Sequence, residues 1–180
     1  MAYVLWTKDW GAVPSDENNA WNAVICDWDA NGYRLPTEME NAWASMGANS
    51  DPLNEVNGFL KKYSGDNGSN NMDDYCWHGF DKNAEKWIHE VGRRRPNELG
   101  IYDLSGNSTE WLWDLFEKKD PTGKLNNYGE PTSGTGHIAA GGCWLSQDVY
   151  LRIYLPFDKK GALWSKAKHD YAGFRLVKKN

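Results

Sequence analysis

"RRRPNELGIYDLSGNSTEWLWD", Arg93 to Asp114, is the stretch that decides the fold. Its basic run is flanked by Glu90 and Glu98 and reads as a solvated turn rather than a phosphate patch. "PNELG" is a turn cluster, and short strands are expected at Ile101 to Leu104 and Glu110 to Trp113. Gly100 and Gly106 suit positive φ or a close backbone approach. Between the two strands, "DLSGNSTE" admits two readings. Asp103 and Glu110, with the carbonyls between them, have the oxygens a calcium ion needs. Alternatively, Asp103 and Asn107 simply bond the backbone of a turn.

Outward from this stretch the chain changes character on either side. Upstream, Ser15 can cap a helix whose apolar residues Trp21, Val24, Ile25 and Trp28 fall at i, i+3, i+4 and i+7, with Asn31-Gly32 as its stop. A second helix opens at "PTEME", where Thr37 and Glu40 form a capping box. Met39, Trp43 and Met46 are its expected buried stripe, and Gly47 its end. Downstream lie turn clusters ("DPTG", "PTSGTG") and further short strands at Ile138 to Ala140, Tyr150 to Leu155 and Phe174 to Val177. Helices first and a loop-rich, largely antiparallel sheet afterwards define an α+β class in one domain, residues 1–180. Eleven Trp and 18 Gly fit short elements, large aromatic packing and frequent turns.

Composition also narrows the function. A net charge of −5 offers no global field for nucleic acid or anionic lipid. No apolar run reaches the ~18 residues of a membrane span, and Met1-Ala2-Tyr3 does not open a secretory leader. Cys26, Cys76 and Cys143 have neither the even number of a disulfide framework nor a zinc-type spacing. Cys143 is expected to be a small buried hydrophobe. His78, His89, His137 and His169 are scattered and read as surface or turn residues.

Four motifs then become specific together. "GYRLPTEME" (32–40), the opening stretch, "GGCW" (141–144) and "GFRLV" (173–177) follow one another in an order that resembles the formylglycine-generating enzyme, or sulfatase-modifying factor, family. The resemblance implies a C-type-lectin-like fold with two helices on short strands. It also implies a calcium site at the Asp103 and Glu110 side chains and the carbonyls of Gly106 and Ser108. The enzymes of the family hold copper on two cysteines, but those positions here are Ser146 and Leu151, so no copper and no catalysis are expected. The alternatives are an oxidoreductase of this type or its inactive paralogue. The related iron-dependent sulfoxide synthases need a histidine set that this chain lacks.

The same resemblance extends to the variable proteins of diversity-generating retroelements. In those proteins a segment between "GGSW"-like and "GFRL"-like motifs is rewritten, chiefly at Asn codons, into a selectable surface. Residues 145–172 occupy that segment. Asn is absent from Tyr128 to Lys179, which fits such overwriting, although Gln147, Lys159, Lys160 and Trp164 cannot arise from an Asn codon by adenine changes alone. The expected contact surface is Ser146, Asp148, Tyr150, Tyr154, Phe157, Trp164, Lys166, His169 and Tyr171, rigid rings mixed with adaptable polar groups. Leu151, Ile153 and Leu155 are expected to face the core from a half-buried strand, with Arg152 as fixed scaffold. The implied partner is a protein or cell-surface ligand, and the implied location a cell surface, a secreted form or a phage particle.

Overall fold

The computed structural model describes residues 26–48, 61–66, 71–81, 86–115, 137–153, 162–163 and 169–178. Strand β1 (Tyr33–Arg34) leads into helix α1 (Glu38–Ser45), followed by β2 (Thr109–Leu115), β3 (His137–Ala140), β4 (Ala162–Leu163), β5 (Ala172–Phe174) and β6 (Val177–Lys178). Four strands form one sheet in the order β4-β3-β2-β5, while β1 and β6 form a separate antiparallel pair. The sheet is mixed: β3 lies antiparallel to both β2 and β4, but β5 runs parallel to β2. A largely antiparallel sheet therefore holds, with one parallel pair as an addition.

Helix α1 starts as its capping box predicts. Thr37 Oγ1 accepts from the Glu40 amide at 3.2 Å, and a Glu40 carboxylate oxygen accepts from the Thr37 amide at 2.9 Å. Arg34 grips the same carboxylate through two bonds of 2.5 Å and lies 4.7 Å from the centre of the Trp28 ring. The helix is tied to β2 where the Glu38 amide donates to Asp114 (2.7 Å) and the Trp113 amide donates to the Pro36 carbonyl (2.8 Å). Gly47, at φ +76°, ends it.

Its buried face is only partly the expected one: of the stripe Met39, Trp43 and Met46, Met46 is buried. Asn41, Ala42 and Ser45 are buried with Met46, whereas Trp43 is 55% exposed and Met39 is also exposed. Small side chains let the helix sit close on its neighbours, and the Asn97 side chain reaches in to donate to the Ala44 carbonyl at 2.7 Å. The first expected helix, from Ser15, lies outside the described residues except for its end, where Cys26 to Ala30 form turn and bend.

Other elements also differ from expectation. Residues 101–104 form loop rather than strand, and Asp148–Leu151 is a short 3-10 turn where a strand was expected. Leu151 is nonetheless fully buried, in a cluster with Tyr63 and Cys76. The strand expected at Phe174 to Val177 is broken at Arg175-Leu176, where β5 ends before β6 begins. Within β2 the register shifts between Trp111 and Leu115. There the His137 ring nitrogen Nδ1 donates to the carbonyls of Leu112 (3.0 Å) and Trp113 (2.8 Å), satisfying the irregular backbone. His137 thus holds the sheet, and His78 is buried with its ring on Asp73 at 2.7 Å, so neither is a surface residue. Arg94 is likewise no solvated turn residue. It stacks 3.8 Å over Trp77, pairs with Asp81 and caps the Asp73 carbonyl.

Burial is the largest influence on the Glu40 carboxyl and pushes its pKa up. Arg34 and the Thr37 contacts together outweigh it and hold the group below its ordinary range. A depressed folded-state value adds stability above the unfolded value and loses it as pH falls through the folded one. Thermal midpoints measured from pH ~6 to ~3 should therefore fall less steeply for Glu40→Gln than for the parent. Parallel slopes would remove Glu40 from the acid limb.

Candidate functional site

The segment between "GGCW" and "GFRLV" is held in place by the loop that precedes β2. The Gly106 amide donates to the Gly141 carbonyl at 2.7 Å, and the Trp144 amide donates to the Asn107 carbonyl at 3.0 Å. Gly106 has φ +82° and makes a backbone bridge with Trp77. Asn107, at φ +64° and 2% exposed, accepts from the His89 amide (2.8 Å) and donates to the His89 carbonyl (3.1 Å). His89 in turn stacks flat on Trp77, ring centres 3.8 Å apart. Asp103, at φ +57°, accepts from the Gly92 amide at 2.8 Å. The polar loop read as either turn or metal site thus braces residues 89–92 against the start of β2.

Both ends of the segment are pinned to one residue. Ala140 of β3 and Gly173 of β5 each pair with Glu110 of β2, from opposite sides. Residues 141–172 leave the sheet on one flank of Glu110, rejoin it at β4 beside β3, and return on the other flank of Glu110. Tyr171 is fixed at the return: its carbonyl accepts from the Thr109 amide (2.8 Å) and from Ser108 Oγ (3.2 Å).

Within the segment, five of the expected contact residues are described. Tyr150 is exposed, and Ser146, Asp148, His169 and Tyr171 are half-buried. Ser146 is committed to a turn, its Oγ accepting from the Cys143 amide at 2.8 Å, and its carbonyl accepts from the Gly79 amide at 3.0 Å. Asp148 pairs with Arg152 at 2.8 Å. His169 and Tyr171 lie with ring centres 5.0 Å apart. Tyr154, Phe157, Trp164 and Lys166 lie outside the described residues. Of the positions that hold copper in the enzymes, Leu151 is sealed in the core and carries no donor. Ser146 has a sulfur nearby, Cys143 Sγ at 3.5 Å, in a side chain that is buried as expected. Cys76 is also buried, and burial pushes its thiol up to about 12, so it is inert as a nucleophile near neutrality.

Of the four residues expected to hold calcium, Asp103, Gly106 and Ser108 lie in the loop before β2 and Glu110 lies on β2, and several of their oxygens are engaged. Arg175 donates to both oxygens of Glu110, at 2.9 and 2.7 Å. One Asp103 oxygen is taken by Gly92, and the Gly106 carbonyl accepts from the Ser108 amide at 2.9 Å. A guanidinium therefore already supplies positive charge beside Glu110. Among the described residues no three His, Cys, Asp or Glu side chains gather as a metal cluster. As arranged, Arg175 balances the Glu110 charge. Burial nonetheless dominates Glu110 and pushes its carboxyl above the ordinary range. Arg175 opposes this, and the neighbouring Asp103 charge adds to it. The sequence contained Arg175 within "GFRLV" but no local signal that it would turn back to Glu110.

Among the described residues no helix is long and apolar enough to cross a membrane. In fold, the chain is similar to Treponema denticola variable protein 1, with a TM-score of 0.72 and 31% identity over 91% of this chain and 54% of that one. CarF (TM-score 0.60, 22% identity, 85% of this chain and 50% of that one) and PvdO from Pseudomonas aeruginosa (0.59, 18%, 81% and 52%) share the fold. The chaperone protein LppX of Paenibacillus barcinonensis is 31% identical over 163 residues, 81% of this chain and 51% of LppX. The chain spans about half the length of each of these relatives. The architecture is thus the α+β, C-type-lectin-like one that the motifs implied. The profile of the sulfatase-modifying factor enzyme 1-like domain matches residues 1–180 throughout, and the chain belongs to that family.

Proposed function

We propose that this protein is a non-catalytic scaffold that displays residues 145–172 as a ligand-binding surface, as the variable proteins of diversity-generating retroelements do. The observation that carries the proposal is the double pairing of Glu110: the sheet holds both ends of the segment at one point, while Leu151 in the core and β4 in the sheet anchor it within, so the positions between these anchors are free to differ. Likeness to a variable protein at 31% identity supports it, as does the lack of a thiolate at either copper position. Tyr150 supplies an exposed ring, and Asp148 a half-buried polar group beside it, the mixture that anchors protein ligands.

A library tests this. Asp148, Tyr150, Phe157, Trp164 and Lys166 are randomised, and clones are selected for binding to an unrelated soluble protein. Binders that still melt cooperatively within a few degrees of the parent are the expected result. If most members fail to fold, the segment is core and the proposal fails. A near-copy of the DNA encoding Gly141 to Val177 beside a reverse-transcriptase gene, differing only at adenines, would show that a retroelement writes the segment.

A further inference from the structure

A second concavity lies outside the displayed segment. A cleft of about 700 Å³ opens between residues 88–92, the loop 100–110 and the end of β5. Its volume is that of a small-molecule site. The walls are apolar: Ile88, Val91, Tyr102 and Phe174 line it and are exposed, Val91 by 76% and Phe174 by 68%. Trp87, Leu99 and Leu176, adjacent in sequence, are exposed as well. Four of the thirteen large exposed hydrophobics among the described residues thus line this one opening, an exposed apolar grouping of the kind that marks binding surfaces.

The polar groups of the cleft are unbalanced. Two carboxylates, Asp103 and Glu110, line it with one cation, Arg175, and Arg175 spends both ends of its fork on Glu110. Asp103 is 9% exposed; one oxygen accepts from the Gly92 amide, and the other, Oδ1, is buried with no partner. A buried carboxylate oxygen without a donor is costly and uncommon in a finished structure. Asp103 also holds a left-handed backbone, φ +57°, which costs energy for any residue but glycine. Strain and an unmet acceptor at one residue facing a concavity are features of a site awaiting its ligand.

We propose that this cleft is a second binding site, for a small organic amine whose ammonium pairs with Asp103 and whose apolar body lies against Ile88, Val91, Tyr102 and Phe174. A cation is required by the charge count, and a donor by the free oxygen. Anions are disfavoured by the same two carboxylates. Arg175 keeps Glu110 neutralised, so Asp103 is the discriminating group.

The test is an NMR titration of the ¹⁵N-labelled protein with 2-phenylethylammonium, 2-phenylethanol and 3-phenylpropionate. Saturable shifts are expected for the amine, clustered at residues 88–92, 100–110 and 173–175, with the alcohol weaker by about tenfold and the carboxylate weakest. Asp103→Asn should weaken the amine about tenfold while leaving the alcohol unchanged. Asparagine tolerates the left-handed backbone and keeps an acceptor for Gly92, so the fold should survive. Phe174→Ala, at an exposed position, should weaken amine and alcohol alike, and Tyr150→Ala should change neither. Equal binding of all three probes, shifts centred elsewhere, or no saturation at the solubility limit would overturn the proposal. Unchanged amine affinity in Asp103→Asn, or in Phe174→Ala if the first variant does not fold, would do the same.

Discussion

Gly106→Ala is expected to destabilise the fold by about 2–5 kcal/mol, a large part of the ~5–15 kcal/mol typical of a domain. At φ +82° an alanine pays about 1–2 kcal/mol for the left-handed backbone alone. Its Cβ would lie 3.0 Å from the Trp77 nitrogen and carbonyl carbon, and nearer still to the Trp77 oxygen. Backbone cannot swing aside as a flexible side chain can, so relieving this overlap costs about 1–3 kcal/mol more. The relief would also strain the Gly106–Gly141 hydrogen bond that attaches the displayed segment. Gly100 is the control. It has a similar φ, +75°, but no atom lies within 4 Å of a Cβ built there, so Gly100→Ala should cost only about 1–2 kcal/mol. Urea unfolding of both variants beside the parent decides the matter. Equal losses would show that backbone conformation alone, and not close approach, is what Gly106 provides.

Arg175→Met should be nearly as damaging. It leaves the Glu110 carboxylate, 13% exposed, with no countercharge and with Asp103 close by. Removing one partner of a buried pair costs about 3–5 kcal/mol, and the 27% exposure of Arg175 moves the expectation to about 2–4 kcal/mol. The pH dependence identifies the cause. Burial already holds Glu110 above its ordinary range, and loss of Arg175 pushes it higher. A raised folded-state value means that the contribution is intact below the unfolded value and is lost as pH rises through the folded one. The variant should therefore recover part of its stability as pH falls from ~7 to ~4.5, and Glu110→Gln added to it should give the same recovery at neutral pH. A deficit that is constant with pH would assign the damage to lost packing of the arginine stem.

Much of this was legible from the chain alone, for identifiable reasons. Thr37 and Glu40 act through local hydrogen bonds, so α1 begins where they stand. Gly47 and Gly106 announce positive φ because other residues avoid it. The strands around Trp111 and Ile138 are short apolar runs set between turn clusters, and both are present. What misled was tertiary. Trp43 matches a helical stripe, yet α1 rests on its small residues because Asp114 and Pro36 draw it close to β2. Leu151 was rightly placed in the core but in a 3-10 turn, since burial does not fix backbone type. Arg175 and Glu110 stand 65 residues apart, and Arg94 reaches Asp81 across 13, so neither pairing has a sequence signature. The apolar cleft was invisible for the same reason: Ile88, Tyr102 and Phe174 come from three separate segments.

The double pairing of Glu110 has an entropic consequence. Ala140 and Gly173 flank it at one strand spacing each, so residues 141–172 span a gap of only about 10 Å. The cost of closing a flexible loop across a fixed gap rises with the logarithm of its length, and doubling the length adds only about 0.6 kcal/mol. By this rule added length between the two pairings costs little, except where it would displace Leu151 from the core or β4 from β3. The clasp thus fixes where the segment attaches and leaves its length to the anchors within it.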